Sequence, residues 1–286
     1  MADNLSSGLY LVCTPIGNRG DITLRTLEIL KKCDILISED TRVAKKLLSM
    51  YSIPLRGRQL LSYKDKSTHL ARKKIIEFIK ANNSVVLMSD AGSPLISDPG
   101  HKLVSDVIFS GESLFSLPGA SSVITALSLS GLPADQFFYY GFLPTKKGKM
   151  KEELMKIKEY SCTSVFFESP KRLIATLKLF ESIFGKDHAM TVCREMTKKF
   201  EEINRGSISE LLNIFQSRKT IRGEIVIVVE PASPERINNL KLDQYLRFEL
   251  KSKSVKDSVE FLSETLSISK KLLYDRALTI INQQEH

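Results

Sequence analysis

The chain is organised around one predicted strand end and the loop that follows it, Leu87-Met88-Ser89-Asp90-Ala91-Gly92-Ser93-Pro94-Leu95-Ile96-Ser97-Asp98-Pro99-Gly100. The apolar run at residues 85–88 predicts a strand, and a helical pattern begins near His101. Ligands bind at the carboxyl ends of strands in open α/β sheets, and small residues let the backbone approach them closely. The stretch therefore predicts a ligand-binding loop, although an ordinary long turn has the same composition.

Two further junctions share this composition. The segments at residues 14–21 and 117–122 are rich in Gly, Ser and Pro, and each follows a predicted strand and precedes a predicted helix. The first of these helices carries Leu24, Leu27 and Leu30 on one face. Neither a Walker phosphate loop nor the dinucleotide pattern G-x-G-x-x-G occurs in the sequence. We expect all three loops to lie at one edge of one sheet.

Length and composition predict an α/β protein with two domains and a tail. The 286 residues are 42% hydrophobic and 26% charged, which is ordinary for a globular chain. We place an N-terminal α/β domain at residues 1–132, a second α/β domain at 133–234 and a helical tail at 235–286. No apolar run approaches the roughly 20 residues that span a bilayer, and the start lacks signal-peptide features. These features predict a cytoplasmic protein without a membrane anchor.

The cysteines and histidines are dispersed along the chain. No C-x-x-C pair or zinc-ligand spacing links them. The cysteines are Cys13, Cys33, Cys162 and Cys193. We interpret them as free thiols, mostly buried, and predict no metal site.

The positive charge is uneven. Residues 145–222 contain seventeen Lys or Arg against ten Asp or Glu, whereas residues 1–144 contain sixteen against thirteen. A basic surplus on one half is typical of a protein that binds a polyanion such as nucleic acid. A solvated surface that aids solubility gives the same counts.

Strands and helices alternate along residues 10–117, which predicts a largely parallel sheet covered by helices. In the second half, strands at 137–142 and 163–167 flank a charged helix at 149–160. The unbroken apolar run within residues 223–230 predicts a central strand.

The tail predicts three helices. They cover residues 242–251, 254–266 and 269–281, and Ser254 is the expected N-cap of the second. The last two resemble a helix-turn-helix unit joined through Leu266-Ser267-Ile268-Ser269. The apolar residues expected on the third helix are Leu272, Leu273, Leu278 and Ile281.

Charged residues follow two of the predicted strands. Glu39, Asp40 and Thr41 precede Arg42. One interpretation is a helix N-terminus that Asp40 or Thr41 caps and whose dipole favours the carboxylates, and the other is an acid, base or substrate clamp. Residues 166–173 form a strand that ends in a carboxylate, a hydroxyl, a proline at a helix start and two basic groups. Those groups could handle a proton or hold phosphate.

Three lysines lie in the loop at residues 143–149, which joins a predicted strand to a predicted helix. A further charged cluster occupies residues 193–202. A flexible loop with several lysines suits phosphate contacts. A mobile surface loop is the alternative interpretation.

Taken in order, these motifs resemble the ribosomal RNA small subunit methyltransferase I family of the tetrapyrrole methylase superfamily. The resemblance covers nearly the whole chain and includes the helical tail. It rests on Thr14-Pro15-Ile16-Gly17-Asn18, Glu39-Asp40-Thr41-Arg42, Ser89-Asp90-Ala91-Gly92-Ser93-Pro94, Ile96-Ser97-Asp98-Pro99-Gly100, Pro118-Gly119-Ala120-Ser121, Gly141-Phe142-Leu143-Pro144, Glu168-Ser169-Pro170 and Arg194-Glu195.

The resemblance implies a two-domain fold that binds S-adenosylmethionine in the cleft between domains, commonly as a homodimer. It implies methylation of the ribose 2′-hydroxyl of a cytidine in the decoding region of small-subunit (16S) ribosomal RNA, free or within the 30S subunit. The cofactor contacts that it implies are Pro15, Asp90, Gly92, Ser93, Ser121, Ser122 and Ser169, with Glu168 as a further candidate.

Methyl transfer needs alignment and help with the proton of a weakly acidic alcohol. We hypothesise that Glu39, Asp40 or Glu168 accepts or orients that proton. The groups expected to hold RNA phosphates or the ribose are Arg42, Lys171, Arg172 and Arg194. Two alternatives are a methyltransferase acting on a corrin or sirohaem precursor and a non-catalytic RNA-binding factor in ribosome assembly.

Overall fold

The computed structural model describes residues 5–64, 68–232, 234–266 and 269–282. The chain forms two compact units, one of residues 1–151 with 163–230 and one of residues 152–162 with 231–286. The first unit holds two β-sheets, and the C-terminal helices belong to the second.

The first sheet is parallel throughout. Its strands are β1 (Gly8–Val12), β2 (Ile35–Ser38), β3 (Gln59–Ser62), β4 (Ser84–Met88) and β5 (Leu114–Leu117), in the order β3-β2-β4-β1-β5. The helices between and after them are α1 (Leu24–Lys32), α2 (Thr41–Met50), α3 (His69–Lys80), α4 (His101–Phe109) and α5 (Ser122–Ser130). The predicted βα alternation is confirmed.

Both faces of this sheet are buried, which explains why its strands are continuous apolar runs. Val12 and Val86 pack with α1 and α2 on one face. Leu11 and Leu87, their neighbours in sequence, point to the other face and pack with Leu103 of α4.

The second sheet is mixed. Its strands are β6 (Phe137–Phe142), β7 (Thr163–Glu168), β8 (Ala189–Arg194), β9 (Glu202–Ser207) and β10 (Ile225–Val229), in the order β6-β7-β10-β8-β9. The helices of this half are α6 (Lys147–Ile157), α7 (Leu173–Phe184) and α8 (Ile208–Gln216). Strand β10 pairs antiparallel with β7 and β8, so the predicted central strand is confirmed.

Several local predictions for this unit are corrected. Strand β9 and helix α8 were not predicted, because β9 is a half-buried edge strand of mixed polarity. Helix α6 covers Lys147–Ile157 rather than 149–160, and α7 begins at Leu173 rather than at Pro170. Leu24, expected on the apolar face of α1, is 81% exposed because it lies in the first turn.

The second unit contains α9 (Pro234–Glu249), α10 (Val255–Leu266) and α11 (Lys270–Asn282). Helix α9 starts eight residues before the predicted helix. Ser254 caps α10 as predicted, accepting a hydrogen bond from the Asp257 amide at 3.2 Å. The predicted junction at Ser267 and Ile268 lies outside the described residues.

The apolar face predicted for α11 is partly wrong. The core of this unit contains Leu273, Ala277 and Ile280 from α11, together with Leu242, Leu246, Val259 and Leu262. Leu272 and Leu278 are about half exposed, at 50% and 51%. The buried face is therefore turned by roughly one residue from the predicted one.

Other properties of the described residues bear on the class of protein. All four cysteines are free, and Cys13, Cys33 and Cys193 are buried. Within the same residues, no three His, Cys, Asp or Glu side chains cluster as metal ligands would. None of the helices described has both the length and the apolar character needed to cross a membrane.

Candidate functional site

The loops after β1 and β4 are joined beyond the carboxyl ends of their strands. Thr14 and Gly92 exchange two backbone hydrogen bonds, each with an N···O distance of 2.9 Å. The Thr14 hydroxyl also donates to the carbonyl of Ser89 at 3.0 Å. These two predicted loops therefore lie at one sheet edge.

The third loop, after β5, meets them through small residues. The Ser93 hydroxyl lies 3.4 Å from the Cys13 sulfur and donates to the carbonyl of Ala120 at 3.3 Å. A Cβ added at Gly119 would lie 2.5 Å from the Cβ of Cys13, so no side chain fits there. Glycine is thus required for this close approach of the first and third loops.

Left-handed backbone recurs in the loop after β4. Gly92, Leu95 and Ser97 have φ angles of 79°, 71° and 60°. Each left-handed L-residue costs about 1–2 kcal/mol, and such residues cluster at functional sites. The Ser97 hydroxyl lies 2.6 Å from the Tyr139 hydroxyl on β6, so this strained loop of the first sheet contacts the second sheet.

A buried carboxylate ends β7. Glu168 is 3% exposed and accepts hydrogen bonds from the Thr176 hydroxyl at 2.6 Å and the Ser169 amide at 2.7 Å. Arg172 Nε lies 3.4 Å from the same carboxylate, and a terminal nitrogen of Arg172 donates to the carbonyl of Leu143 at 2.9 Å. Buried charges are stable only when paired and hydrogen-bonded, and these partners meet that requirement.

The loop after β8 of the second sheet contacts the loop after β1 of the first sheet. The amide of Asn18 donates to the Thr197 hydroxyl at 3.0 Å. A Cβ added at Gly17 would lie 2.5 Å from Cγ of Lys198. Glu195 and Thr197 have φ angles of 52° and 64°, so this bridge is also built from strained backbone.

These loops enclose a cavity of about 380 Å³. Six of the predicted site residues line it: Gly92, Ser93, Ser121, Ser122, Glu168 and Ser169. Apolar walls come from both sheets and include Ile16, Phe142, Phe167, Met196 and Val226. A site of this size with apolar walls and a few polar groups is typical of a pocket for a small organic ligand.

Two predicted cofactor residues, Pro15 and Asp90, are outside this lining. Asp90 lines a narrower neighbouring crevice together with Glu39 and Asp98. Burial raises the pKa of the Asp90 carboxyl, although the Asp40 amide donates to it at 3.3 Å. Asp98 lines both spaces and so lies between the crevice and the cavity.

Asp98 was not among the predicted site residues. It accepts a hydrogen bond from the Ser89 hydroxyl, and burial raises the pKa of its carboxyl above the ordinary value. Asp98 lies in the loop at residues 89–100, and its place in that polar loop is the feature of the sequence that could have identified it as a site residue. Met196 and Glu224 were missed too, because only the folded chain brings them to residues far away in sequence.

Asp40 and Arg42 form a hydrogen-bonded ion pair. Asp40, one of the two predicted capping candidates, is the N-cap of α2 and accepts from the Arg42 amide at 2.9 Å. Two guanidinium nitrogens of Arg42 also donate to its carboxylate, at 3.0 and 2.6 Å. The Arg42 side chain therefore holds the pKa of the Asp40 carboxyl well below its usual range, which makes Asp40 a weak proton acceptor.

The predicted RNA-binding residues fall into two groups. Lys171 and Arg42 are exposed. Arg172 and Arg194 are mostly covered and bound to acceptors of the chain, Arg172 to the Glu168 carboxylate and Arg194 to Glu202 at 2.9 Å. The second pair therefore holds loops and strands together within the first unit.

Comparison with known proteins identifies the family. Residues 8–212 match the model of the tetrapyrrole (corrin/porphyrin) methylases. The chain is 41% identical over 273 residues to ribosomal RNA small subunit methyltransferase I of Rickettsia prowazekii, covering 94% of this chain and 96% of that one. The chain belongs to the ribosomal RNA small subunit methyltransferase I family. A member from Bacillus subtilis is 43% identical over 80% of this chain and 77% of its own.

Solved structures of low sequence identity share the fold of this chain. A uroporphyrin-III C-methyltransferase from Thermus thermophilus, in complex with S-adenosylhomocysteine, has a TM-score of 0.54 at 18% identity and covers 78% of this chain and 97% of its own. A diphthine synthase has a TM-score of 0.58 at 13% identity, covering 78% and 89%. The resemblance to this family and the α/β fold class predicted from sequence are both confirmed.

Proposed function

We propose that this chain transfers the methyl group of S-adenosylmethionine to the ribose 2′-hydroxyl of a cytidine in the decoding region of small-subunit ribosomal RNA. The observation that carries the proposal is its 41% identity, over nearly the full length of both chains, to a ribosomal RNA small subunit methyltransferase I. We place the reaction in the cytoplasm and expect a homodimer, which light scattering would test.

The cavity fits S-adenosylmethionine in size and composition. Its volume of about 380 Å³ is within the range of small-ligand pockets. Gly92 and Gly119 let backbone approach a ligand or a neighbouring loop closely, and Ser93, Ser121 and Ser122 supply hydroxyl groups. When bound, this donor supplies a methyl group activated by a sulfonium. We propose that these loops hold it, with Pro15 supporting the loop after β1 and Asp90 the loop after β4.

The carboxylates of the site differ in their suitability for the proton of the ribose hydroxyl. Asp40 is held by Arg42, which lowers the pKa of its carboxyl and makes it a weak proton acceptor. Glu39 lies at the crevice and Glu168 at the cavity. We propose that Glu168, fixed by Thr176 and Ser169, orients the hydroxyl group for in-line transfer, whereas Glu39 lies farther from the ligand.

The test is transfer of labelled methyl from S-adenosylmethionine to small ribosomal subunits from a strain that lacks this gene, followed by mapping of the product. Label on the 2′-oxygen of a cytidine in the decoding region is the expected result. Tight cofactor binding with no transfer to subunits or free RNA would contradict the proposal and favour a small-molecule substrate such as a corrin precursor.

The proton role is tested with Glu168→Gln, Glu39→Gln and Asp40→Asn, measuring cofactor affinity separately by calorimetry. We expect Glu168→Gln to lose about 10²-fold or more in turnover, the usual contribution of a positioned acid or base, with retained cofactor binding. Near-normal turnover of Glu168→Gln would remove it from this role.

A further inference from the structure

A second cavity, of about 410 Å³, lies within the first unit. It is formed by the loop before α6, the first turn of that helix and the length of α7. No residue lines both this cavity and the one assigned to the cofactor. The fold therefore contains a separate concave site of ligand size.

The chemistry of this second cavity is apolar at its base and cationic at its rim. Met150 and Leu179 line it and are largely buried, at 7% and 6% exposure. Lys147 and Lys178 also line it, are exposed, and have no ion pair among the contacts of the described residues. No Asp or Glu contributes to the lining. A cavity that offers apolar contact for a base beside cations for a phosphate suits one nucleotide of a single strand.

The two cavities are separated by a single layer of side chains. Arg172 and Thr176 line the second cavity, and both contact the Glu168 carboxylate that lines the first. The Thr176 hydroxyl donates to Glu168 at 2.6 Å, and Arg172 Nε lies 3.4 Å from it. A ligand in the second cavity would therefore lie directly behind the wall of the reaction site.

We propose that the second cavity binds a nucleotide of the RNA substrate close in the strand to the one that is methylated. Its phosphate contacts Lys147 and Lys178, and its base lies against Met150 and Leu179. The inference rests on the proposed function, because it takes RNA as the substrate. It gives a role to Lys147, one of the three lysines at residues 146–149.

The experiment measures affinity for a decoding-region RNA fragment at several salt concentrations, using Lys147→Gln, Lys178→Gln and the double variant. Lys186→Gln is the matched control, since Lys186 is exposed, lies in the same unit and does not line the cavity. One lost phosphate contact on a single strand lowers the log–log salt slope by about 0.7, equivalent to about 4-fold in affinity at 0.15 M salt. We expect about 4-fold weaker binding for each variant, about 14-fold for the pair and no change for the control.

The identity of the nucleotide in the second cavity is tested by placing a photo-crosslinking residue at Ser182, which lines the cavity and is exposed. Crosslinks to nucleotides next to the methylated one are expected, and crosslinks confined to distant nucleotides would overturn the proposal. Binding of inorganic phosphate that is lost in the double variant, while the RNA affinity of that variant matches the Lys186→Gln control, would assign the cavity to free phosphate and also overturn the proposal.

The two proposals fail in different ways. If the unmodified protein transfers no methyl group to RNA, the proposed function fails. If it does transfer methyl, but the Lys147 and Lys178 variants bind RNA as the Lys186 control does, only the nucleotide site fails. Cofactor affinity, measured for every variant, should stay unchanged because neither lysine lines the first cavity.

Discussion

Replacing Thr176 with valine tests how the buried Glu168 charge is stabilised. The change removes a hydroxyl donor and preserves the shape of the side chain, and Thr176 is fully buried. Its hydrogen bond to the carboxylate is 2.6 Å long, and hydrogen bonds to charged groups contribute about 1.5–3 kcal/mol. We therefore expect Thr176→Val to lower the free energy of unfolding by about 2 kcal/mol.

The matched control is Thr191→Val. Thr191 is equally buried, but its hydroxyl donates to a neutral acceptor, the carbonyl of Ser130, over 3.4 Å. A weak neutral hydrogen bond contributes about 0.5–1 kcal/mol. The difference between the two variants isolates the contribution of the charge.

The assay is urea unfolding followed by circular dichroism, which suits a chain without tryptophan. A loss of 2 kcal/mol corresponds to a fall of about 4–8 °C in melting temperature for a unit of this size. In the Glu168→Gln background the cost of Thr176→Val should fall below about 1 kcal/mol, since the acceptor is then neutral. Equal losses for Thr176→Val and Thr191→Val would refute the reasoning.

Three further measurements test other contacts of the first and second units. Hydrogen bonds from Arg218 hold the pKa of Glu202 at about 2, against 4.5 ordinarily, so the unfolded state binds more protons between these values. Stability should therefore fall as the pH drops from about 4.5 to about 2, and Glu202→Gln should flatten that part of an acid titration followed by circular dichroism. Gly119→Ala has no room for its methyl group and should cost about 1–3 kcal/mol and weaken cofactor binding in calorimetry, whereas Gly148→Ala, with open space around it, should do neither. Cys162 should react first with a thiol reagent in the folded protein, because the other three thiols are buried and should react only after unfolding.

The part of the site that could be predicted from sequence is local in origin. The loop at Leu87 to Gly100 combines an apolar strand with Gly, Ser and Pro, and this contrast is visible within a few residues. The same signal identified the loops around Pro15 and Ser121. Parallel strands present their carboxyl ends at one edge of a sheet, so the predicted sheet also predicts that these loops lie together. The Thr14–Gly92 bridge confirms this for the loops after β1 and β4.

The residues that could not be predicted reach the cavity through long-range contacts. Met196 lies in a charged segment whose composition indicates solvent exposure, yet it packs in the core with Ile16. The loop that carries Met196 is placed by the Thr197–Asn18 hydrogen bond, between residues 179 positions apart. No local pattern of hydrophobicity encodes such a contact, so only the folded chain reveals it.

Adjacent apolar residues make it difficult to predict from helical periodicity which face of a helix is buried. Leu272 and Leu273 are neighbours on α11 and lie about 100° apart around the helix axis, so a pattern containing both is compatible with two faces. Ala277 resolves the choice in the structure, because its small side chain lets α11 pack closely with the rest of its unit. An alanine contributes little to an apolar pattern, which is why the predicted face included Leu278 instead.

Arginine and lysine have different tasks in the basic half of the chain. The guanidinium of Arg172 pairs with the Glu168 carboxylate through Nε and donates to the carbonyl of Leu143 through a terminal nitrogen, which a lysine could not do with the same geometry. Lys147 and Lys178 have no such partners among the described contacts, and each presents a strongly hydrated charge on a flexible stem. An arginine already neutralised by a buried carboxylate releases few counterions when RNA binds, whereas an unpaired lysine releases its full share. Substitution of these lysines should therefore reduce the salt dependence of RNA binding more than substitution of the paired arginines.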